Sequence, residues 1–509
     1  MVVSAFEQSL GVLLTKFGIN APDIRIKGLT LDSREVSPSL AFVAVKGHSR
    51  DGREFIPQAI SLGAKAILAQ TDTVREHGRM EMRGTTIIVH LYELTDILSS
   101  LAGAFYDYPA TKMRSVAVTG TNGKTSVVQM LSQLTTLDGT RCGAVGTLGA
   151  GIYQGENTRW KPTPAGNTTP DAIRMQYVLA DFVQQNARQV AFEASSHALV
   201  QGRLSHVKTD VVVFTNLSRD HLDYHQTMAQ YGGAKRLAMQ LPGVRTVVLN
   251  ADDKESHLWH TNKPKGVQTV WYGMGALPTD LSEDRHCLAT NVKYHANGCQ
   301  FRLATSWGVK DIDVPLLGAF NIYNLLAVIC VMLVQGQRFD DIVKLLPKVK
   351  PVAGRMEVFS FAQHANVVVD YAHTPDALTK ALDAARAHTE GAIWCAFGCG
   401  GDRDKGKRSL MGQAAERGAD HLVITTDNCR SEQPESIAAD IRTGLTSPQD
   451  VVDEPDREKA IRHCLEHAAP NDLILLAGKG HEDYQIVGEE KKNYNERGVV
   501  TRLQKEYSK

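Results

Sequence analysis

The run Val116-Ala117-Val118-Thr119-Gly120-Thr121-Asn122-Gly123-Lys124-Thr125-Ser126 passes from an apolar strand pattern into a glycine turn and then into the helical pattern 127–137. That order builds an anion cradle. Gly120 and Gly123 let backbone N–H groups turn inward, Lys124 adds a mobile positive charge, and the following helix points its partial positive end at the same spot. A nucleotide triphosphate is the natural occupant, and the Thr125 hydroxyl stands where a phosphate-bound Mg²⁺ needs a ligand. The match to G-x-x-x-x-G-K-[ST] is incomplete, because Val118 occupies the position of the first glycine.

Further polar clusters follow apolar strand patterns, which is where an open α/β sheet presents its ligands. Strand 190–192 leads into Glu193-Ala194-Ser195-Ser196-His197, and strand 211–214 leads into Thr215-Asn216-Leu217-Ser218-Arg219-Asp220-His221. Glu193 and His221 are candidate metal ligands facing the same opening as Thr125. Lys235, in Tyr231-Gly232-Gly233-Ala234-Lys235-Arg236, taken alone reads as a solvated helix lysine. Late in the chain, Asp370-Tyr371-Ala372-His373, Asp427-Asn428-Cys429-Arg430 and Gly478-Lys479-Gly480-His481-Glu482 each end a strand pattern. Between them Gly398 to Arg408 is a loop rich in glycine and charge, usually a solvated segment; here the glycines permit close backbone approach and Arg403 can clamp a carboxylate bidentately.

Strand patterns alternating with helices indicate parallel sheets covered on both faces, hence an α/β fold. At 509 residues the chain has room for about three domains. A small α/β domain with strands at 41–45, 66–69 and 86–89 ends near Tyr108-Pro109. The central domain holds strands at 116–119, 190–192, 211–214 and 247–249, followed by alternating strands around the Asn297-Gly298 hairpin signal that form an antiparallel extension. After Gly354 strands at 367–370, 393–397, 422–425 and 473–477 alternate with helices, a doubly wound, Rossmann-like domain. The expected domains are therefore 1–109, 110–352 and 353–509.

Lys plus Arg equals Asp plus Glu, 56 each, so the overall balance offers no electrostatic case for nucleic acid or anionic lipid as partner. The eight cysteines are scattered and read as reduced cytosolic thiols. The stretch 1–14 lacks a basic flank, and the apolar stretch 325–334 is too short to cross a bilayer. A cytoplasmic, monomeric enzyme is the expectation.

Taken together these residues resemble the Mur ligase family along nearly the whole chain. The resemblance rests on Thr119 to Thr125, Asn167-Thr168-Thr169-Pro170, Glu193 to His197, Asp220-His221-Leu222-Asp223, Asn321-Ile322-Tyr323-Asn324, Gly354-Arg355-Met356-Glu357 and Asp370 to Pro375. It implies a domain that holds the UDP end of the acceptor, a central P-loop ATPase and a mobile C-terminal domain that brings the amino acid. ATP would meet Gly120, Thr121, Asn122, Gly123, Lys124, Thr125, Ser126, Asn321, Arg355 and Asp370. Leu31, Ser33, His48, Ser49 and Arg50 would touch the UDP-sugar, and Asn167, Thr168, Thr169, Ser195, Gln201 and Arg203 its sugar-peptide portion. Lys235 matches the lysine that the family carbamylates with CO₂, giving N6-carboxylysine, an anion able to help Thr125, Glu193 and His221 hold Mg²⁺. The resemblance thus reverses the bland reading of Lys235, and places Lys124, Lys235, His221 and Glu193 at the catalytic centre.

Members of the family that take meso-diaminopimelate resemble D-N-P-R at one strand end, whereas lysine-adding members lack that arginine. Here Asp427-Asn428-Cys429-Arg430 keeps the arginine, whose guanidinium suits the carboxylate that distinguishes diaminopimelate from lysine. Cys429 departs from the proline and removes its φ restraint. Arg403, Gly478 and Glu482 match the remaining amino-acid contacts. The expected activity is an ATP-dependent amide ligase adding meso-2,6-diaminopimelate to UDP-N-acetylmuramoyl-L-alanyl-D-glutamate through an acyl phosphate. The alternatives are a lysine-adding Mur ligase, a folylpolyglutamate synthase and a nucleotide-binding regulator without ligase activity.

Overall fold

A strand that is apolar at every position must bury both of its faces, and this rule organises the chain. Leu40–Ala44 and Ala66–Thr71 pair in parallel; Ala41, Val43 and Leu68 face one core, while Phe42, Ala44, Ile67 and Ala69 face another. The computed structural model describes residues 6–47, 50–155, 160, 162–277 and 284–507. They divide into two units, Met1–Trp271 and Tyr272–Lys509.

In the first unit a five-stranded sheet has the order Gly28–Thr30, Leu40–Ala44, Ala66–Thr71, Thr86–Tyr92 and Met80–Arg83. The last strand is an antiparallel edge that the sequence pattern does not reveal, because Met80-Glu81-Met82-Arg83 has no buried run. One face of this sheet is closed by the helix Leu94–Phe105 together with Ala172, Ile173 and Ala180 of the helix Ala172–Gln184. The amino-terminal layer therefore shares its core with a helix that the sequence places in the next domain. Beside it, Cys142–Gly146, Gln189–Glu193, Arg114–Thr119, Val211–Phe214 and Thr246–Asn250 run parallel in that order. Gly149–Ile152 adds an antiparallel edge. The phosphate-loop strand lies between the strands that end in Glu193 and Phe214, so all three carboxyl ends open on one side.

In the second unit Arg285–His295, Gly298–Thr305 and Gly308–Val314 form an antiparallel meander that turns at the expected Asn297-Gly298. The carboxy-terminal sheet has the order Glu357–Phe359, Asn366–Asp370, Leu473–Ala477, Ile393–Phe397, His421–Ile424 and Val452–Asp453, parallel except at the first pair. Its strands alternate between two cores: Val368, Leu475 and Cys395 face one, and Val367, Val369, Ile474, Leu476 and Ala396 the other. The helix Pro375–Ala387 starts as its sequence demands, with Thr374 Oγ1 accepting from the Ala377 amide and Pro375 in the first turn. A hairpin, Tyr484–Val487 with Glu490–Asn493, follows the last parallel strand.

The helix Arg457–His467 carries an ion pair inside this domain: Arg457 Nη2 lies 2.6 Å from Glu496 Oε1, with both side chains buried. Removing one partner of such a pair strands the other charge. Glu496→Leu is expected to lower the unfolding free energy of the carboxy-terminal domain by about 3–5 kcal/mol in denaturant titration. All eight cysteines are buried and none is joined in a disulfide. Among the described residues no helix is long and apolar enough to cross a membrane.

Candidate active site

Gly123, at φ 87°, opens the helix Lys124–Leu137, and Gly120 sits at φ 144°. Both are conformations that glycine adopts without strain. Gly120 has a second reason to lack a side chain, since a Cβ there would overlap Thr215 Oγ1. The turn is braced from the neighbouring strand end: the Thr121 amide donates to the Asn216 carbonyl (2.8 Å), the Asn122 amide to Asn216 Oδ1 (3.0 Å) and Thr215 Oγ1 to the Asn122 carbonyl (2.6 Å). Thr215 and Asn216 are thus parts of the phosphate loop that the motif itself does not contain. Lys124 Nζ donates to the carbonyls of Gly120 (2.9 Å) and Thr121 (2.8 Å), folding the charge over the turn. Gly120→Ala is expected to destabilise the first unit by about 2–4 kcal/mol in thermal unfolding and to abolish nucleotide binding.

Below the loop Thr125 Oγ1 donates to Glu193 Oε1 at 2.9 Å. Glu193 is 1 % exposed and also accepts the Thr147 amide at 2.8 Å. A hydroxyl and a carboxylate at the end of a phosphate loop suit Mg²⁺, which commonly takes one or two protein oxygens and fills its octahedron with phosphate and water. Among the described residues no group of three or more His, Cys, Asp or Glu side chains forms a cation cage, so any divalent ion here would depend on the phosphates for its remaining ligands. The donor set fits that requirement.

Lys235 is not a solvated helix lysine. It is 1 % exposed, donates to the Gly120 carbonyl at 2.7 Å and lies 4.3 Å from the centroid of the Tyr231 ring. Burial, reinforced by the charge of Lys124, pushes its amine well below the usual lysine range. His221 occupies a left-handed position (φ 52°) with its side chain about half exposed, edge-on to His197 at 5.0 Å and 6.0 Å from the Tyr231 ring. Lys235 and His221 therefore approach the same tyrosine.

A cleft of about 1100 Å³ opens in the first unit, lined by Leu31, Ser33 and Arg50 from the amino-terminal layer and by Gly166, Asp171, Arg174 and Tyr177 from the next. His48 and Ser49 lie outside the described residues. Asn167 is exposed beside the cleft-lining Gly166. The next residues connect to Glu193: Thr168 Oγ1 accepts from Thr147 Oγ1 (3.1 Å) and Thr169 Oγ1 donates to the Glu193 carbonyl (2.7 Å). The Ser195 amide donates to Thr169 Oγ1 at 3.0 Å, Arg203 Nη1 to the Thr169 carbonyl at 2.8 Å, and Arg203 Nε to Gln201 Oε1 at 2.9 Å. Six residues named from the sequence, Thr125, Thr168, Thr169, Ser195, Gln201 and Arg203, thus join one network through Glu193.

In the second unit Asn321 is buried at the start of the helix Ala319–Val334, where its amide group donates to the Leu317 carbonyl (2.9 Å). Asp370 uses both carboxylate oxygens to accept the amides of Met356 and Ala372, each at 2.8 Å. It fixes the loop that carries Arg355, whose guanidinium lies 4.7 Å from the centroid of Tyr371. Among the described residues the buried Arg355 Nε has no hydrogen-bond partner.

Two further loops meet at the carboxyl ends of Ile393–Phe397 and His421–Ile424. Arg430 Nη1 and Arg403 Cγ lie 3.0 and 3.7 Å from the position a Cβ would take on Gly400, so a side chain there would press on both loops. Arg430 Nη1 donates to the Gly401 carbonyl at 2.8 Å, and the Gly401 amide to the Asn428 carbonyl at 2.9 Å. Cys429 is buried, with its thiol pushed up by desolvation. Arg430 itself is left-handed (φ 51°), held by its amide on the Ile486 carbonyl (3.0 Å) and its carbonyl on the Gly488 amide (2.7 Å). The hairpin after the last strand thus replaces the restraint that a proline would have supplied.

Lys479 is a functional candidate that sequence reasoning quoted but did not assign. Fully buried, it donates to Asn428 Oδ1 (2.9 Å) and Glu482 Oε2 (2.8 Å) and pairs with Asp427 Oδ1 (3.3 Å). Asn428 Nδ2 also reaches Glu482 Oε2 at 3.1 Å. Its position after the left-handed Gly478 (φ 107°) at a strand end was the available signal. Together these groups gather the carboxylates of Asp427 and Glu482 around the Lys479 ammonium, next to the loop that carries Arg430.

Comparison with known proteins concerns the chain as a whole. Models described as Mur ligase family, catalytic domain, Mur ligase middle domain, and Mur ligase, glutamate ligase domain match residues 25–106, 118–332 and 354–480. The chain is similar to a solved UDP-N-acetylmuramoyl-L-alanyl-D-glutamate--2,6-diaminopimelate ligase, with 32% identity over 98% of this chain and 99% of that one and a TM-score of 0.70. It shares its fold with the UDP-N-acetylmuramoylalanyl-D-glutamyl-2,6-diaminopimelate--D-alanyl-D-alanyl ligase of Acinetobacter baumannii, at 16% identity over 99% and 100% of the two chains and a TM-score of 0.66. It also shares it with Mycobacterium tuberculosis folylpolyglutamate synthase, at 19% identity over 76% and 92% and a TM-score of 0.58.

Proposed function

Because the chain belongs to the Mur ligase family of ATP-dependent amide ligases, we propose that it joins meso-2,6-diaminopimelate to the D-glutamyl carboxylate of UDP-N-acetylmuramoyl-L-alanyl-D-glutamate in the cytoplasmic synthesis of peptidoglycan precursors. The observation that carries the choice of amino acid is the held position of Arg430, whose Nη1 lies against Gly400 in the loop that carries Arg403, one residue beyond Cys429 and next to the Asn428–Glu482 contact. Lysine has no second carboxylate to offer the Arg430 guanidinium, whereas diaminopimelate does. We assign residues 1–109 to the UDP-sugar, 110–352 to ATP and 353–509 to the amino acid.

Lys124 and the amides of Gly123 to Ser126 hold the triphosphate, those of Thr121 and Asn122 being spent on Asn216, and they spread the charge that develops as the γ-phosphoryl group passes to the carboxylate oxygen. We assign Asn321, Arg355 and Asp370 to ATP as well, an assignment supported by Arg355 Nε, which has no hydrogen-bond partner among the described residues. Arg203, Gln201, Ser195 and Thr169 orient the anionic acceptor, whose nucleotide end lies along Leu31, Ser33 and Arg50. The amine of diaminopimelate attacks the acyl phosphate carbonyl, a C–N bond forms, the C–O bond to phosphate breaks, and the amine gives up a proton. The products are the UDP-tripeptide, ADP and phosphate. Thr125, Glu193 and His221 would hold Mg²⁺, which when bound neutralises phosphate charge. Lys235, a desolvated amine beside the phosphate loop, supports the N6-carboxylysine assignment, since only an unprotonated amine captures CO₂.

Incubation with ATP, Mg²⁺ and the UDP-muramoyl dipeptide is expected to release phosphate and give a product heavier by one amino-acid residue with diaminopimelate, and far less product with lysine. Phosphate without a new amide would leave a nucleotide hydrolase or regulator, and equal use of lysine would remove the role given to Arg430.

A further inference from the structure

The charged stretch at 402–408 looks solvated in the sequence, yet its last residue is fully buried. Arg408, on the helix Gly406–Gly418, has a side chain that is 0% exposed. Its guanidinium grips Glu432 with both forks, Nη2 to Oε1 at 2.8 Å and Nη1 to Oε2 at 3.0 Å. Nη2 also donates to the Gly400 carbonyl at 3.2 Å, and Nη1 to Asp440 Oδ2 at 2.8 Å. Glu432 in turn accepts the Asp402 amide on Oε1 at 2.7 Å. Asp402 returns the link by accepting Ser431 Oγ at 2.6 Å and the Ser431 amide at 3.1 Å.

One buried ion pair therefore holds both sides of the junction between the loop that carries Arg403 and the loop that carries Arg430. Gly400, whose Cβ position lies against Arg430 Nη1 and Arg403 Cγ, is bound through its carbonyl to Arg408, and Asp402 through its amide to Glu432. Arg430 spends Nη1 on the Gly401 and Asn428 carbonyls. Among the described residues its Nε and Nη2 make no hydrogen bond, and they are the donors left for a ligand. Their aim depends on where Gly401 lies, and hence on the Arg408–Glu432 pair. Bidentate guanidinium–carboxylate pairs have a fixed fork geometry, so they set distance and angle together.

We propose that Arg408 and Glu432 are positioning residues for amino-acid selection, locking the two arginine-bearing loops at the spacing that fits the second carboxylate of a diamino diacid. The inference rests on the amino-acid site assigned under Proposed function and adds residues that touch no substrate. It predicts a selective defect: an altered pair loosens the arginines without reaching the phosphate loop or the UDP-sugar cleft.

The test compares Glu432→Gln and Arg408→Lys with an Asp440→Asn control, which removes the outer partner of Arg408 and leaves both loops tied. In Glu432→Gln the KM for diaminopimelate should rise at least tenfold while the KM values for ATP and the UDP-muramoyl dipeptide stay within twofold. Arg408→Lys, which keeps the charge and loses the fork, should fall between Glu432→Gln and wild type, and Asp440→Asn should match wild type. Hydrogen exchange of the full-length protein should become faster in peptides spanning 400–404 and 428–433 of Glu432→Gln, with the helix Pro375–Ala387 unchanged. An unaltered KM for diaminopimelate, a parallel rise of all three KM values, or unaltered exchange in the two loops would each overturn the proposal. Failure of the wild-type protein itself to incorporate diaminopimelate would instead remove the function on which it rests, and the exchange data would still report whether the pair locks the loops.

Discussion

Lys124→Ala is expected to lower the rate of phosphate release by about 10³-fold, with the protein still folded. The size of the effect follows from what the ammonium faces. Lys124 Nζ sits over the turn, 2.9 Å from the Gly120 carbonyl and 2.8 Å from that of Thr121, at the end of a helix whose amides point the same way. A fixed donor aimed at charge that grows in the transition state contributes about 10²–10³-fold when neutral, and a full positive charge on a transferring phosphoryl group belongs at or above the top of that range. The turn itself stays braced by Thr215 and Asn216, so the unfolding temperature should move little. Single-turnover phosphate release separates loss of chemistry from loss of ATP binding. A variant within tenfold of wild type would show that the loop amides alone suffice.

Arg430→Met should reduce kcat/KM for diaminopimelate by about 100-fold and leave the use of lysine as it was. Hydrogen bonds to a charged group contribute about 1.5–3 kcal/mol each, and an unpaired carboxylate in a shaped site is rejected more strongly than the missing bond suggests. The left-handed backbone at Arg430 rests on main-chain bonds to Ile486 and Gly488, which methionine retains. Competition between the two amino acids, read by product mass, gives the ratio directly. Equal losses for both would mean that Arg430 shapes the loop and does not select the substrate.

The sequence was most informative where a function is built from neighbours in the chain. The phosphate loop needs a strand, two glycines, a lysine and a threonine within a dozen positions, and each is a local preference of backbone or charge. The same holds for Thr374-Pro375 as a helix start and Asn297-Gly298 as a hairpin turn. Uninterrupted apolar strands likewise announced two-sided burial. Less legible were the short edge strands Met80–Arg83 and Gly149–Ile152, whose stability comes from the neighbour they pair with and not from an apolar pattern of their own. Lys235 and Arg408 read as solvated charges because the groups that bury them, the Gly120 carbonyl and Glu432, lie far along the chain.

By itself, then, the sequence determined that a glycine-lysine-threonine turn follows an apolar strand, that the chain is an assembly of α/β layers, and that it belongs to the Mur ligase family. Those conclusions depend on local spacing and on residue type. Only the tertiary structure decided that the amino-terminal layer closes its core on the helix Ala172–Gln184, that Glu193 gathers Thr125, Thr147 and Thr169, and that a hairpin and a buried Arg408–Glu432 pair order the Cys429-Arg430 loop without a proline. Such features depend on which strand ends become neighbours, and burial changes the meaning of a charge only once its partner has arrived.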